Sequence, residues 1–283
     1  MMRCCLKIFV ALLSLTLLLW PGSLPAHEKS SLYLRLAAEE GLDEALVRWF
    51  QDDQIPVKTT IIAKNLKQVE CKATYDRFLG PSSVRKARQF LKQNRSWMKV
   101  QEAKYGVEAE LVTAIFLIES DLGRYPGRYK LLQVFVSLAS CNQEEYLRKV
   151  YDELRPQYPE LDYQWLKRRA QKKSAWGYEQ LVALLRLTDR VEVDQVKGSW
   201  AGAFGICQFI PSSCLKYAVD GSGDGRIDLY DFQDAAASVA NYLTVHGWHL
   251  GLDRQAREEV VWSYNHSRLY CRTVVELAHR LQR

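Results

Sequence analysis

The chain has 283 residues, enough for one large domain or two with a full hydrophobic core. Composition is even after residue 27, which excludes low-complexity linkers and internal repeats. A formal charge of +6 suits an anionic wall polymer or a membrane surface, but it is equally ordinary surface composition, so charge selects no partner.

At the amino terminus Arg3 and Lys7 flank the start of an apolar run from Ile8 to Trp20, followed by Pro21-Gly22 and Ala26. This run of 13 residues is too short to span a bilayer comfortably and fits a secretory signal, so residues 1–26 are expected to be cleaved on export. Leu24 is bulkier than the small residue preferred at the third position before such a cut, and an uncleaved anchor is the competing reading. Loss of Arg3 and Lys7 lowers the charge from +6 to +4. Cys71, Cys141, Cys207, Cys214 and Cys271 then remain, an odd number in a compartment that permits disulfides. No CxxC or Cys/His metal spacing occurs, which argues against zinc. Cys207 and Cys214 would lie about 10 Å apart along a continuous helix, too far to bridge unless Pro211 redirects the chain.

Helical periodicity dominates the mature chain, and almost no sheet is expected. Leu32 to Ala37 before Gly41, and Leu46 to Phe50 after it, read as two short helices. Pro56 opens a third segment through about Lys67, and Pro81-Ser82-Ser83 starts a long helix through Tyr105. The next helix, about Val107 to Leu122, is apolar on every face (Leu111, Val112, Ala114, Ile115, Phe116, Leu117, Ile118) and is expected to run through the core. It delivers Glu119 at its end. Desolvation there raises a carboxyl pKa, as a general acid at neutral pH requires, whereas a Glu at a frayed helix end would simply face water. Asp121 points elsewhere on the helix, so no two-carboxylate glycosidase site is evident.

From Gly198 to Asp231 the chain reads GSWAGAFGICQFIPSSCLKYAVDGSGDGRIDLYD. Gly202, Ala203 and Gly205 permit close backbone approach, with Ser199 and Gln208 as polar handles. Asp220, Ser222, Asp224, Asp228 and Asp231 then occupy positions 1, 3, 5, 9 and 12 of an EF-hand-type loop, with Gly225 at position 6 and Ile227 at position 8. The competing reading is a polar surface turn. Asp at position 12 has a shorter arm than the usual Glu, so the expected calcium is structural and modestly held.

Four separated motifs now stand in order: YGVEAELVTAIFLIESDLG from Tyr105 to Gly123, the stretch GSWAGAFGICQFIPSS, the calcium-type loop, and VANYLTVHGW. Together with RFLGPSSVRKARQFLKQNRSWMKVQEAKYGV upstream and WSYNHSRLYCRTVVELA downstream, they resemble lytic transglycosylases of the membrane-bound lytic murein transglycosylase B type. The likeness runs from about Arg77 to Ala278, with gaps. It implies a mostly α, lysozyme-like helical catalytic domain that cleaves the β-1,4 bond between N-acetylmuramic acid and N-acetylglucosamine. In that chemistry one glutamate, here Glu119, acts as acid and then as base on the C6 hydroxyl, so that a 1,6-anhydro sugar forms without water.

The same resemblance implies that Ser199, Gln208, Tyr242, Tyr264 and Asn265 line the sugar cleft. Taken singly, Tyr242 also reads as a core aromatic, Ser199 as a helix cap and Asn265 as a turn residue. Calcium would be held by Asp220, Ser222, Asp224, the Arg226 carbonyl and Asp231, with Asp228 in indirect contact. The expected division is a signal over residues 1–26, a supporting helical region over 27–100 and the catalytic domain over 101–283. The implied partner is the peptidoglycan glycan strand in the periplasm, with no nucleic acid and no stable membrane anchor after signal cleavage.

Three departures from the family pattern are visible. Between Glu119 and Ser199 lie 79 residues, an excess assigned to a basic, aromatic-rich helical insertion near 151–180. There Trp165, Arg168, Arg169, Lys172 and Lys173 would touch glycan or a partner, or belong to a solvated helix over an apolar seam. Cys207 stands where a small residue is expected, and no acylation cysteine follows the signal. The competing functions are a muramidase that uses water and a non-catalytic, calcium-stabilised wall-binding protein. A calcium-sensing protein fits poorly, because a single loop lacks the paired arrangement of sensors.

Overall fold

The computed structural model describes residues 26–52, 55–67 and 75–282. The expected signal up to residue 25, and Cys71, lie outside the described residues. The chain begins with helices α1 (Ala26–Ala37), α2 (Glu44–Asp52) and α3 (Thr59–Leu66). A 3-10 turn at Arg77–Leu79 leads into α4 (Pro81–Tyr105), and α5 (Ala109–Ser120) follows. Then come β1 (Tyr129–Lys130), α6 (Leu131–Ala139), α7 (Glu144–Leu154), α8 (Tyr163–Leu185) and β2 (Lys197–Gly198). Helices α9 (Pro211–Tyr217), α10 (Phe232–Val245), α11 (Arg254–Tyr264) and α12 (Arg268–Leu281) complete the order. Among the described residues the sheet is one antiparallel ribbon of β1 and β2, pairing Tyr129 with Gly198 and Lys130 with Lys197.

Helix α5 is the axis of the core. Its residues Leu111, Ala114, Ile115, Phe116 and Leu117 are at most 1 % exposed, as expected of a helix apolar all round. It packs between α4 and α12. Each fully buried Leu, Ile or Phe contributes about 1.5–3 kcal/mol by leaving water, so this helix is held firmly in register. Pro81 opens α4, and Gly106 at φ 68 closes it in the left-handed conformation that glycine adopts without steric cost. Helix α4 continues through residues 100 and 101, packing on α5, α10 and α12. The expected boundary there therefore falls inside one helix.

At the other end of α5, Glu108 is buried and accepts from Arg257 Nη2 over 2.7 Å and from Trp248 Nε1 over 3.1 Å. This pairing ties the start of α5 to α11 and satisfies a carboxylate that would otherwise be costly to bury.

Helix α8 starts where Asp162 accepts the Trp165 N–H. Its Gly177 lies so close to α6 that an added Cβ would come within 2.7 Å of Leu138 Cβ. Ile62, Leu66, Leu147, Leu166 and Ala170 form a second, smaller apolar cluster under α3, α7 and α8. The basic stretch near 151–180 is therefore a helical layer over an apolar seam, with Trp165 on its outer side at 44 % exposure. Cys141, Cys207, Cys214 and Cys271 are free and buried.

Candidate active site

Glu119 is the penultimate residue of α5, and the chain turns sharply after it. Asp121, Leu122 and Gly123 take φ values of 55, 59 and 80, three successive left-handed residues. Such a run costs non-glycine residues of order 1 kcal/mol each and persists only where the surroundings enforce it. Ser120 does so: its Oγ donates to the Ile206 carbonyl over 2.7 Å and accepts from Gly123 N over 2.9 Å. Asp121 turns away from Glu119 and pairs with Lys86. The residue that carries the carboxyl is thus fixed from behind by helix burial and from in front by the 204–209 loop.

The Glu119 carboxyl is pushed up to about 7 because burial penalises its charge, with a hydrogen-bonding contribution from Tyr270 acting in the opposite sense. Residue Glu119 retains partial exposure, so its carboxyl is hemmed in while one side of the residue stays open. The groups acting on it are Tyr270, Tyr264 and Cys207, and none is a carboxylate. Tyr270 is 1 % exposed, and its hydroxyl has no partner that meets full hydrogen-bond geometry. It stands beside Glu119 as a donor whose bond is incompletely made.

Three tyrosines form a wall. Tyr264 stacks parallel to Tyr270 at 6.4 Å between ring centres, and Tyr242 meets Tyr264 edge-on at 5.2 Å. Tyr242 donates to the Ser263 carbonyl over 2.6 Å, and Tyr264 donates to the Cys207 carbonyl. Both phenols are pushed up, chiefly by burial. Cys207 is wholly buried, and its thiol is pushed far up, chiefly by burial, so it is an inert packing group. Asn265 ends α11, accepting through its backbone carbonyl from Ser267 N over 2.7 Å.

The loop from Gly198 to Phe209 is folded on itself by close backbone approaches. Gly198 lies against Ala203, whose carbonyl a Cβ on Gly198 would meet at 2.3 Å, and Gly202 lies against the Phe135 ring. Ser199 Oγ accepts from Ala203 N over 3.1 Å, a local turn role, and its own hydroxyl proton stays available. Gln208 holds φ 53 and donates through Nε2 to the Pro126 and Gly205 carbonyls, both at 2.9 Å. Two carbonyl acceptors dictate the amide orientation, so Oε1 is the atom left to meet a ligand.

The loop from Asp220 to Asp231 closes on protein donors. Asp220 accepts from Gly223 N and Gly225 N, Asp224 from Arg226 N, and Asp228 from Tyr230 N. Asp231 caps α10, accepting from Gln233 N and Asp234 N. Asp234, 2 % exposed, is the internal peg, accepting from Gly221 N, Ser222 N and Asp228 N. Among the described residues no group of three or more His, Cys, Asp or Glu is gathered to hold a metal. The expected chelate of Asp220, Ser222, Asp224, the Arg226 carbonyl and Asp231 is therefore not gathered here; its carboxylates accept backbone N–H bonds, which leave further oxygen lone pairs free. The loop still meets two requirements of such a site: hard oxygen donors, and a left-handed turn at Gly225 with φ 83.

Residues 26–258 match the family described as Transglycosylase SLT domain. The chain belongs to this family. It is 35 % identical over 180 residues to membrane-bound lytic murein transglycosylase B of Escherichia coli (strain K12), a match spanning 62 % of this chain and 41 % of that relative. The chain thus spans about two fifths of the length of the curated relative it matches. Among solved structures it resembles SltB3 of Pseudomonas aeruginosa in complex with NAG-anhNAM-pentapeptide, with a TM-score of 0.71, 21 % identity, and 90 % of this chain and 79 % of that one covered. It also resembles the Escherichia coli lytic transglycosylase Slt35 in complex with calcium, with a TM-score of 0.68, 21 % identity and coverage of 90 % and 92 %. At that identity the likeness establishes a shared transglycosylase fold.

Two residues of the candidate site are not singled out by sequence reasoning. Tyr270 shares one helical face with Val274, Leu277 and Leu281 and so reads as core. Asp234 reads as an ordinary acidic residue in the first turn of α10. The capping patterns Ser267 to Tyr270 and Asp231 to Asp234 are the only local signals near them, and they report helix starts.

Proposed function

We propose that the chain is a peptidoglycan lytic transglycosylase that cleaves the MurNAc-β-1,4-GlcNAc bond and leaves a 1,6-anhydromuramic acid end. The observation that carries this is a carboxyl raised to about 7 by burial in a desolvated pocket, with no second carboxylate acting on it among the described residues. Hydrolytic glycosidases use two carboxyl groups about 5–9.5 Å apart. A single one suffices if the substrate supplies its own nucleophile. Glu119, protonated, gives its proton to the bridging oxygen as the C1–O bond breaks. The resulting carboxylate then takes the C6 hydroxyl proton as O6 closes on C1, which restores the acid without consuming water.

The neighbours divide the remaining work. Gln208 offers Oε1 as an acceptor, Ser199 a hydroxyl proton and Asn265 a side-chain amide to hydroxyl and acetamido groups. Tyr242 and Tyr264 spend their hydroxyl protons on the backbone, so they contribute ring surface and shape. Mass spectrometry of digested sacculi tests the reading: products one water lighter than reducing-end muropeptides are expected, and reducing ends alone would refute it. The SltB3 complex supports the substrate class. Export to the periplasm is part of the same reading, resting on the apolar run from Ile8 to Trp20 and on a family match that starts at residue 26.

Calcium completes the proposal as a structural ion on the 220–231 loop, held by Asp220, Ser222, Asp224, the Arg226 carbonyl and Asp231. The donor chemistry, the turn at Gly225 and the calcium complex of Slt35 support it. An ion bound only by the folded chain stabilises by about 2.7 kcal/mol at a hundred times its Kd. Calcium added to chelator-treated protein is therefore expected to raise Tm by several degrees while leaving the product unchanged. Identical melting with and without calcium counts against the ion.

A further inference from the structure

Away from the cleft, the end of α3, the turn between α7 and α8, and the start of α8 enclose a cavity of about 810 Å³. Its floor is apolar: Leu66, Leu154 and Leu166 are buried members of the smaller cluster, whereas the buried residues of α5 belong to the larger one. Its walls carry two aromatic rings at the surface, Tyr158 at 47 % and Trp165 at 44 % exposure. The elements that build the cleft (α5, the 204–209 loop, α11 and α12) do not line it.

The walls are set before any ligand arrives. Tyr158 N donates to the Leu154 carbonyl over 3.0 Å and Leu161 N to the Tyr158 carbonyl over 2.9 Å, so the turn closes on itself. Asp162 caps α8 through the Trp165 N–H, and the Arg169 guanidinium lies over the Trp165 ring, 5.6 Å from its centre. Rings held in this way lose little freedom when something settles on them.

The polar lining selects the class of occupant. Gln157, Glu160 and Arg168 border the same cavity, and among the described residues their side chains enter no hydrogen bond or ion pair. Glu160 and Asp162 answer the charges of Lys67 and Arg168, so the cavity has no net formal charge to select an anion. A wholly apolar occupant would strip water from these groups and return no hydrogen bonds. A sugar meets both demands. Its C–H face packs on an indole or phenol ring, and its hydroxyl and acetamido groups bond an amide, a carboxylate and a guanidinium. The volume lies within the range of small-ligand sites, about 300–1,000 Å³.

We propose that this cavity is a second glycan-binding site, which holds N-acetylated sugar units of a wall strand outside the cleft and so favours long strands over short fragments. This rests on the glycan-cleaving reading above. Two sites on one polymer reinforce each other, because binding at one raises the local concentration of strand at the other.

The test has a binding arm and a kinetic arm. In the first, Glu119→Gln protein with ¹⁵N-labelled indoles is titrated with a peptide-stripped glycan tetrasaccharide, and Trp165→Phe assigns the Trp165 resonance. That resonance is expected to shift and saturate; a resonance unmoved throughout the titration would overturn the proposal. Movement on protein dilution alone, with a dimer in sedimentation, would give the cavity to a second copy of the chain and also overturn it. In the second arm the parent, Trp165→Ala and Glu160→Gln/Arg168→Gln digest long peptide-stripped strands and the tetrasaccharide. Both variants are expected to raise KM for long strands about tenfold at unchanged kcat, and to match the parent on the tetrasaccharide. Equal loss on both substrates, or an unaltered KM in both variants, would overturn the proposal. The double variant changes exposed side chains only, so it stays informative if Trp165→Ala melts early. If the parent releases no anhydro product, the cleavage reading fails, and the Trp165 titration still decides the second site.

Discussion

Glu119→Gln is expected to lower release of anhydromuropeptides by about 10³-fold or more while binding to sacculi persists. The amide keeps the shape of the carboxyl but can neither give nor take the proton, and general acid–base groups contribute about 10²–10⁴-fold. Equal turnover by parent and variant would remove Glu119 from the reaction. The pH dependence carries the same signature. The first step needs the protonated acid, so the parent's rate is expected to fall as pH rises through about 7. The parent's stability should fall over the same range. A carboxyl raised from 4.5 to about 7 by burial makes the ionised folded state unfavourable by up to roughly 3 kcal/mol. That penalty is absent below pH 4.5, sets in between 4.5 and about 7, and is complete above. Glu119→Gln removes it. The variant is therefore expected to melt with the parent at pH 4 and above it at pH 8, and a variant less stable at both would show that burial is not what raises the carboxyl.

Gly127→Ala is expected to be the most disruptive small substitution on the rim. A Cβ there would lie 2.0 Å from the carbonyl carbon of Gly198, at a φ of +112 that L-residues rarely adopt. The obstacle is backbone of the paired ribbon, which has no flexible end to move aside. Overpacking and backbone strain together are expected to cost about 3 kcal/mol or more, lowering Tm by roughly 6–12 °C in a chain of this size. Gly251→Ala is the control. It shares a positive φ, +94, but has open space around the added atom, so strain alone acts and a loss near 1 kcal/mol is expected. Matching losses at the two positions would show that the 127–198 contact is not what holds the rim.

Much of the architecture is legible locally because its causes are local. The apolar surround of α5, the Pro81 start and Gly106 stop of α4, and the Asp caps of α8 and α10 are each written within a few residues of the element they define. The same holds for the turn at Gly225, where a glycine at position 6 adopts the left-handed conformation expected of it. What is not local is less legible. Asp231 reads as a calcium ligand by spacing and as a helix cap by contact, because one carboxylate can serve either geometry and only its neighbours select between them.

Sequence alone determined that one acidic residue ends a fully apolar helix, that a loop rich in small residues follows much later, and that the fold is helical. These follow from composition and period. Tertiary structure alone decided how acidic that residue is and what surrounds it. The Glu119 carboxyl rises because packing shuts water out, against the opposing pull of the Tyr270 hydroxyl; α12 brings Tyr270, the end of α11 brings Tyr264 and the 204–209 loop brings Cys207, residues separated from it by 88 to 151 positions. Desolvation is a property of everything packed around a charge, and no window of sequence contains all of it.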